Sequence, residues 1–432
     1  MPHAEPCRLS AAALARSIGN GELTAEAVMR SCLDRIADRE PVVRAWAHLD
    51  HDAALAAARA CDKSVTGGLL KGVPFGIKDI FDTADMPTGY GSPNYTGCRP
   101  GLTASAASLP RAAGAVLLGK TVTTEFANRH PGPTANPHDP SHTPGGSSSG
   151  SAAAVADFMV PLAIGTQTGG SVIRPAAYCG VVGFKPSYGL FPPAGMHPNT
   201  ESLDTVGIMA RSVEDIALFR AALMAIPYEP PGMPERPPRL ALCHTPHWDQ
   251  ALPDGRAVLE AAAARLRAAG CEIVESELPP ECDGVSEVQR RHSVFEALRV
   301  HAPELYRHKA LLSADLLERG KIADARALSL DDFRQAWRDA ERMRAAASDW
   351  AGRFDAILTL PAPGQAPRGL QDTGSAIFNG LWTVLYMPCL TLPAGTGPDG
   401  LPVGIQLVGK RHADAALLAT GLWVERRLGD RA

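Results

Sequence analysis

The chain has 432 residues, is 45% hydrophobic and 20% charged, and sets 42 Lys and Arg against 46 Asp and Glu, a formal net charge of −4. This is an ordinary soluble balance that argues against a strong nucleic-acid or membrane field. No apolar run reaches the ~18 residues of a membrane span. The opening MPHAEPCRLSAAALARSIGNGE carries acids and lacks an apolar signal core, so a cytoplasmic location is expected. In chain order, residues 10–62 read as helical. Ala13, Leu14 and Ile18, then Ala27, Val28, Cys32 and Ile36, recur at helical spacing on either side of Gly19-Asn20-Gly21. Thr24 is placed to cap the second helix. Strands are expected at 72–79, 115–120 and 160–165, with helices at 104–113 and 151–159 between them. The proline-rich stretch 227–238 reads as a connector. Beyond it the pattern predicts strands at 239–243, 272–276, 355–360, 389–393 and 403–408. Helices are expected at 255–268, 285–352, 375–386 and 413–427. Alternating helices and strands predict an α/β fold, a mixed sheet covered by helices on both faces. The expected organisation is one domain over 1–432: N-terminal helices at about 8–62, a core at about 70–225, and a part at 239–432 that completes the same sheet.

The chemistry concentrates in 141–189, where nine of the 41 glycines fall within 145–189. Gly145-Gly146-Ser147 and Gly169-Gly170-Ser171 each set a hydroxyl where the backbone can bend sharply. The second cluster precedes an expected helix start, so its successive N–H groups could form a nest for a developing oxyanion. Three chemical readings compete. A phosphate-cradling P-loop needs a Lys after the glycines, and none follows. A G-x-S-x-G elbow would make Ser148 the nucleophile, but Pro144 precedes it and no later His sits in a motif. A serine hydrolase with a lysine base would use Lys78, whose apolar strand favours the neutral amine. The bland alternatives are an ion pair between Lys78 and Asp79, and serine clusters that serve only as turns. Nine scattered cysteines without a C-x-x-C pair predict reduced thiols, and no metal site is expected. His130, His138 and His142 match no zinc spacing and read as a surface or pocket-rim loop. Phe378, Trp382 and Tyr386, four apart, predict a buried helix face.

Four segments together resemble the amidase signature family: Gly76-Ile77-Lys78-Asp79, Pro144 through Ser151, Gly165 through Ala176, and Cys179 through Pro186. Weaker likeness runs through Gly119-Lys120-Thr121, Ser202 through Gly207 and Leu401 through Gln406, so it spans nearly the whole chain. The resemblance implies the amidase signature fold and a Ser–cis-Ser–Lys triad of Ser171 as nucleophile, Ser147 as the cis-peptide serine and Lys78 as base. It places the oxyanion hole at the N–H groups of Thr168, Gly169, Gly170 and Ser171. No metal or organic cofactor is implied. Two departures, Ser149 and Gln167 where the family commonly has Gly and Asp, look like the bacterial malonamidase branch. That likeness makes Arg174 a candidate clamp for a substrate carboxylate, against the plain reading of an arginine paired with Asp204. The implied function is hydrolysis of a small carboxamide through a Ser171 acyl-enzyme, releasing ammonia or an amine. The rivals are the glutamine-hydrolysing A subunit of a tRNA-dependent amidotransferase and a non-catalytic binding protein on the same fold. The expected partner is a small amide, with no nucleic acid or membrane, and a homodimer is compatible with the sequence.

Overall fold

The computed structural model describes residues 5–64, 67–318 and 320–429. The first four residues of the N-terminal reading and the last three of the chain lie outside this range. Eleven strands are found among the described residues: β1 Trp46–Leu49, β2 Pro74–Lys78, β3 Val116–Thr121, β4 Leu162–Gln167, β5 Val182–Lys185, β6 Thr205–Ala210, β7 Arg239–Leu242, β8 Glu272–Glu275, β9 Ala356–Thr359, β10 Cys389–Thr396 and β11 Pro402–Val408. They form one mixed sheet in the order β1-β3-β2-β4-β6-β5-β10-β11-β9-β7-β8. β2 runs parallel to both β3 and β4, and β7 is parallel to β8 and β9. The antiparallel pair β5 and β10 joins the strands before the proline-rich connector to those after it.

Alternation along the central strands builds two cores. Phe75, Ile77, Leu162 and Ile164 pack with the helices Val213–Met224 and Asp414–Leu428 on one face. Ala163, Met209, Val116 and Leu118 pack with Ala25–Val43 and Ser149–Ala156 on the other. Both faces are buried, so the central strands read as continuous apolar runs. The helix Ser149–Ala156 is built from small residues because it lies close under the sheet. A Cβ on Gly150 would stand 2.1 Å from the Ala45 carbonyl oxygen.

Several sequence expectations need correction. The N-terminal helical run contains β1, a four-residue strand that pairs with β3. Thr24 does cap its helix, accepting from the Ala27 N–H at 3.0 Å. The long helical stretch 285–352 is broken, with its main pieces at Val285–Val300 and Leu330–Ala351. The helix expected at 375–386 covers only Gly380–Val384. Phe378, Trp382 and Tyr386 are nevertheless all buried. No helix among the described residues is long and apolar enough to cross a membrane.

Candidate active site

β2 and β4 are parallel neighbours, and both end at the same edge of the sheet. Lys78 is the last residue of β2, and Thr166 and Gln167 close β4. Open α/β sheets bind ligands outside the carboxyl ends of such strands. Lys78 is fully buried. Its Nζ lies 2.7 Å from Ser147 Oγ and 2.7 Å from Thr166 Oγ1. Burial disfavours the ammonium and lowers its pKa to about 7, while the negative charge of Asp204 opposes the fall. The peptide bond Gly146–Ser147 is cis. The alternative partner of Lys78 is occupied elsewhere, since Asp79 lies 2.9 Å from Lys120. Asp79 stands one residue beyond the end of β2, in the turn that follows it.

The segment after β4 carries the second serine cluster. Ser171 is partly exposed among buried neighbours. Its carbonyl accepts from Ser148 N at 3.4 Å, which ties the two serine loops together. Its Oγ has no hydrogen-bond partner among the described residues, so it stands free for a ligand. Among the same residues, none of the four N–H groups from Thr168 to Ser171 donates to a protein acceptor. Adjacent unpaired N–H donors beside a free hydroxyl can receive a tetrahedral oxyanion.

Gln167 explains how this loop is held. Its Oε1 accepts from the N–H groups of Val172 and Ile173, each at 3.0 Å, at the start of the helix Ile173–Tyr178. Its Nε2 donates to Thr383 Oγ1 at 3.2 Å, and Thr383 in turn donates to the Gly169 carbonyl at 2.9 Å. A carboxylate could accept the two helix N–H groups but could not donate to Thr383. Asp204 braces the other end. It accepts from Thr168 Oγ1, from Asn199 N at 2.6 Å and from Thr200 N at 2.9 Å. Gln167 and Asp204 leave no motif in the sequence: Gln167 acts through a helix start and the distant Thr383, and Asp204 through Thr168, 36 positions away, and two backbone N–H groups of its own loop. Gly170 is packed too closely for a side chain, since a Cβ there would stand 2.4 Å from Asn379 Oδ1.

Other sequence candidates fall outside this group. Ser148 is buried, and its Oγ accepts from Thr166 N at 3.3 Å, which ties it to β4 and away from the nucleophile role. Arg174 is buried and is paired with no carboxylate among the described residues. It donates to the Gly374 carbonyl and, at 2.6 Å, to the Gly146 carbonyl, the oxygen of the cis peptide itself. The Asp204 pairing is therefore not made. The three histidines part company. His130 meets Asp315 at 2.9 Å, His138 meets the Cys179 carbonyl at 2.9 Å, and His142 is buried 3.0 Å from Asp139. The rim-loop expectation thus fails for His142. No metal-ligating cluster is found among the described residues.

The amidase family profile matches residues 27–418. The chain is 32% identical to the A subunit of glutamyl-tRNA(Gln) amidotransferase from Chloroflexus aggregans over 96% of its length and 95% of that protein. The same-named protein of Acidothermus cellulolyticus matches at 48% over 226 residues, half of this chain and 45% of that protein. Among solved structures, a native peptide amidase from Stenotrophomonas maltophilia superposes with a TM-score of 0.83 at 32% identity, covering 100% of this chain and 98% of that one. The fold is the amidase signature fold, and the matches make the chain an amide-hydrolysing enzyme of the amidase family, to which it belongs.

Proposed function

We propose that this enzyme cleaves a carboxamide through an acyl-enzyme on Ser171, with Ser147 as proton relay and Lys78 as base. The observation that carries this reading is the buried Lys78 amine, near pKa 7, held 2.7 Å from Ser147 Oγ. A neutral amine can take the Ser147 proton while Ser147 takes that of Ser171. Ser171 Oγ then bonds to the amide carbon, and the N–H groups of Thr168 to Ser171 receive the oxyanion. The proton returns through Ser147 to the leaving nitrogen as the C–N bond breaks. Water attacks the ester by the same relay, leaving a carboxylic acid and regenerating Ser171. The relay requires Ser147 and Ser171 within hydrogen-bond reach in the substrate complex, where catalytic contacts commonly tighten.

For the substrate, the near full-length likeness to the amidotransferase protein favours glutamine, whose side-chain amide would yield ammonia for a partner protein. The malonamate-like reading rests on Arg174, whose terminal nitrogens already serve two backbone carbonyls. Arg174 is better read as a brace for the Gly146 carbonyl. Ammonia release by the purified chain from glutamine, malonamate, propionamide and a peptide amide tests the choice. Turnover of glutamine above the others supports it. Turnover confined to malonamate or the peptide amide overturns it.

A further inference from the structure

A second concave site lies apart from the serines. The helix Leu330–Ala351, Tyr386 and the loop at 411–412 line a cavity of about 550 Å³ that none of Lys78, Ser147 and Ser171 touches. Two guanidiniums meet there on one ring. Arg344 stands 3.4 Å from the Tyr386 ring centre and Arg411 stands 5.3 Å from it. Arg344 is only 5% exposed. Its Nε donates to the Val384 carbonyl at 2.8 Å. Its Nη2, and the Nε of Arg411, are buried without a hydrogen-bond partner among the described residues. Glu341 and Asp349 also line the cavity, yet neither forms an ion pair with either arginine among those residues.

Buried cations are normally paired, and an unpaired one is costly. Stacking on Tyr386 satisfies the flat faces of the guanidiniums but not their edges, where the N–H bonds lie in plane. Two neighbouring like charges with free edges lack one thing, an anion between them. We propose that this cavity is a binding site for a small oxyanion, a carboxylate or phosphate group held between Arg344 and Arg411. The planar fork of arginine fits both groups. Glu341 and Asp349, both exposed, line the same cavity, and their charges disfavour an extended polyanion there.

Thermal melts of the full chain in inorganic phosphate, in acetate and in chloride at matched ionic strength test this. In phosphate or acetate, Tm should climb by about 2 °C per tenfold of ligand above half-saturation. The anion that produces the rise identifies the source chemistry. Chloride should produce none. Arg411→Gln, which disturbs no observed hydrogen bond, should abolish the rise, and Arg344→Gln should do so if it folds. An equal rise in wild type and Arg411→Gln, or no rise in wild type with either oxyanion, overturns the proposal.

Discussion

The acid limb of the rate profile should belong to Lys78, with burial setting its position and Asp204 pulling it back toward higher pH. At a pKa of about 7 the amine is neutral in about a tenth of molecules at pH 6 and about nine tenths at pH 8. The rate constant kcat/KM should therefore rise about tenfold across that range. An ordinary lysine at 10.5 would be neutral in only about one molecule in three thousand at pH 7, so burial supplies the base about a thousandfold. Asp204 works against burial, because its negative charge favours the ammonium. Asp204→Asn removes that charge and should move the midpoint to lower pH. Its turnover should also fall, since Thr168 loses a charged acceptor, but the midpoint is independent of the amplitude. The assay is ammonia release from a neutral carboxamide between pH 5 and 9. A flat wild-type profile from pH 6 to 8, or an Asp204→Asn midpoint that stays put or moves alkaline, would refute the reasoning.

Four variants test the same geometry further. Lys78→Met should be inactive at every pH. The unfolded chain holds the lysine proton between pH 7 and 10.5 and the folded chain does not, so wild-type stability should climb through that window by up to about 5 kcal/mol. Denaturant melts of Lys78→Met should lack that climb. Arg174→Gln should lower kcat on acid-bearing and neutral amides alike, because it braces the Gly146 carbonyl, whereas a loss confined to acid-bearing amides would restore the clamp. Gln167→Leu removes three hydrogen bonds and should cost about 2–3 kcal/mol in a urea melt; an unchanged midpoint would contradict its role in holding the loop. Gly170→Ala, whose Cβ would meet Asn379 Oδ1 at 2.4 Å, should destabilise by about 1–3 kcal/mol and cut turnover, and near-normal kinetics would show that the loop can yield.

The sequence revealed the parts of the site that repeat locally and concealed those that act across the fold. Two Gly-Gly-Ser clusters and a lysine in an apolar strand were visible because backbone demands leave marks in composition. The structure puts Lys78 beside Thr166 because β2 and β4 are parallel neighbours, and Ser148, hydrogen-bonded to Thr166, brings Ser147 to the same strand ends, a pairing no local pattern specifies. Lys78 and Asp79, adjacent in sequence, turned out to serve different partners, since Lys78 ends the strand and Asp79 lies in the turn that follows it. Gln167 looked like a mere departure and is a helix-start acceptor with a donor to spare for Thr383. Arg174 illustrates the opposite error. Its charge suggested a ligand, while its burial leaves it on backbone carbonyls. β1 was hidden because four residues between two helices are too few to show a period of two. The helix around Trp382 is shorter than its spacing predicts at both ends: it starts only after Asn379 and stops before Tyr386, which turns to a φ of +61°, while burial keeps the apolar spacing intact.

Every step of the proposed reaction passes through an acyl group on Ser171. A fluorophosphonate, which phosphonylates an activated serine, can be titrated against the enzyme while ammonia release and peptide masses are followed. One phosphonyl group per chain is expected, located on Ser171, with activity lost in step and neither label nor activity in Ser171→Ala. A label on Ser148 that tracks inactivation, or near-normal turnover by Ser171→Ala, would contradict that role for Ser171.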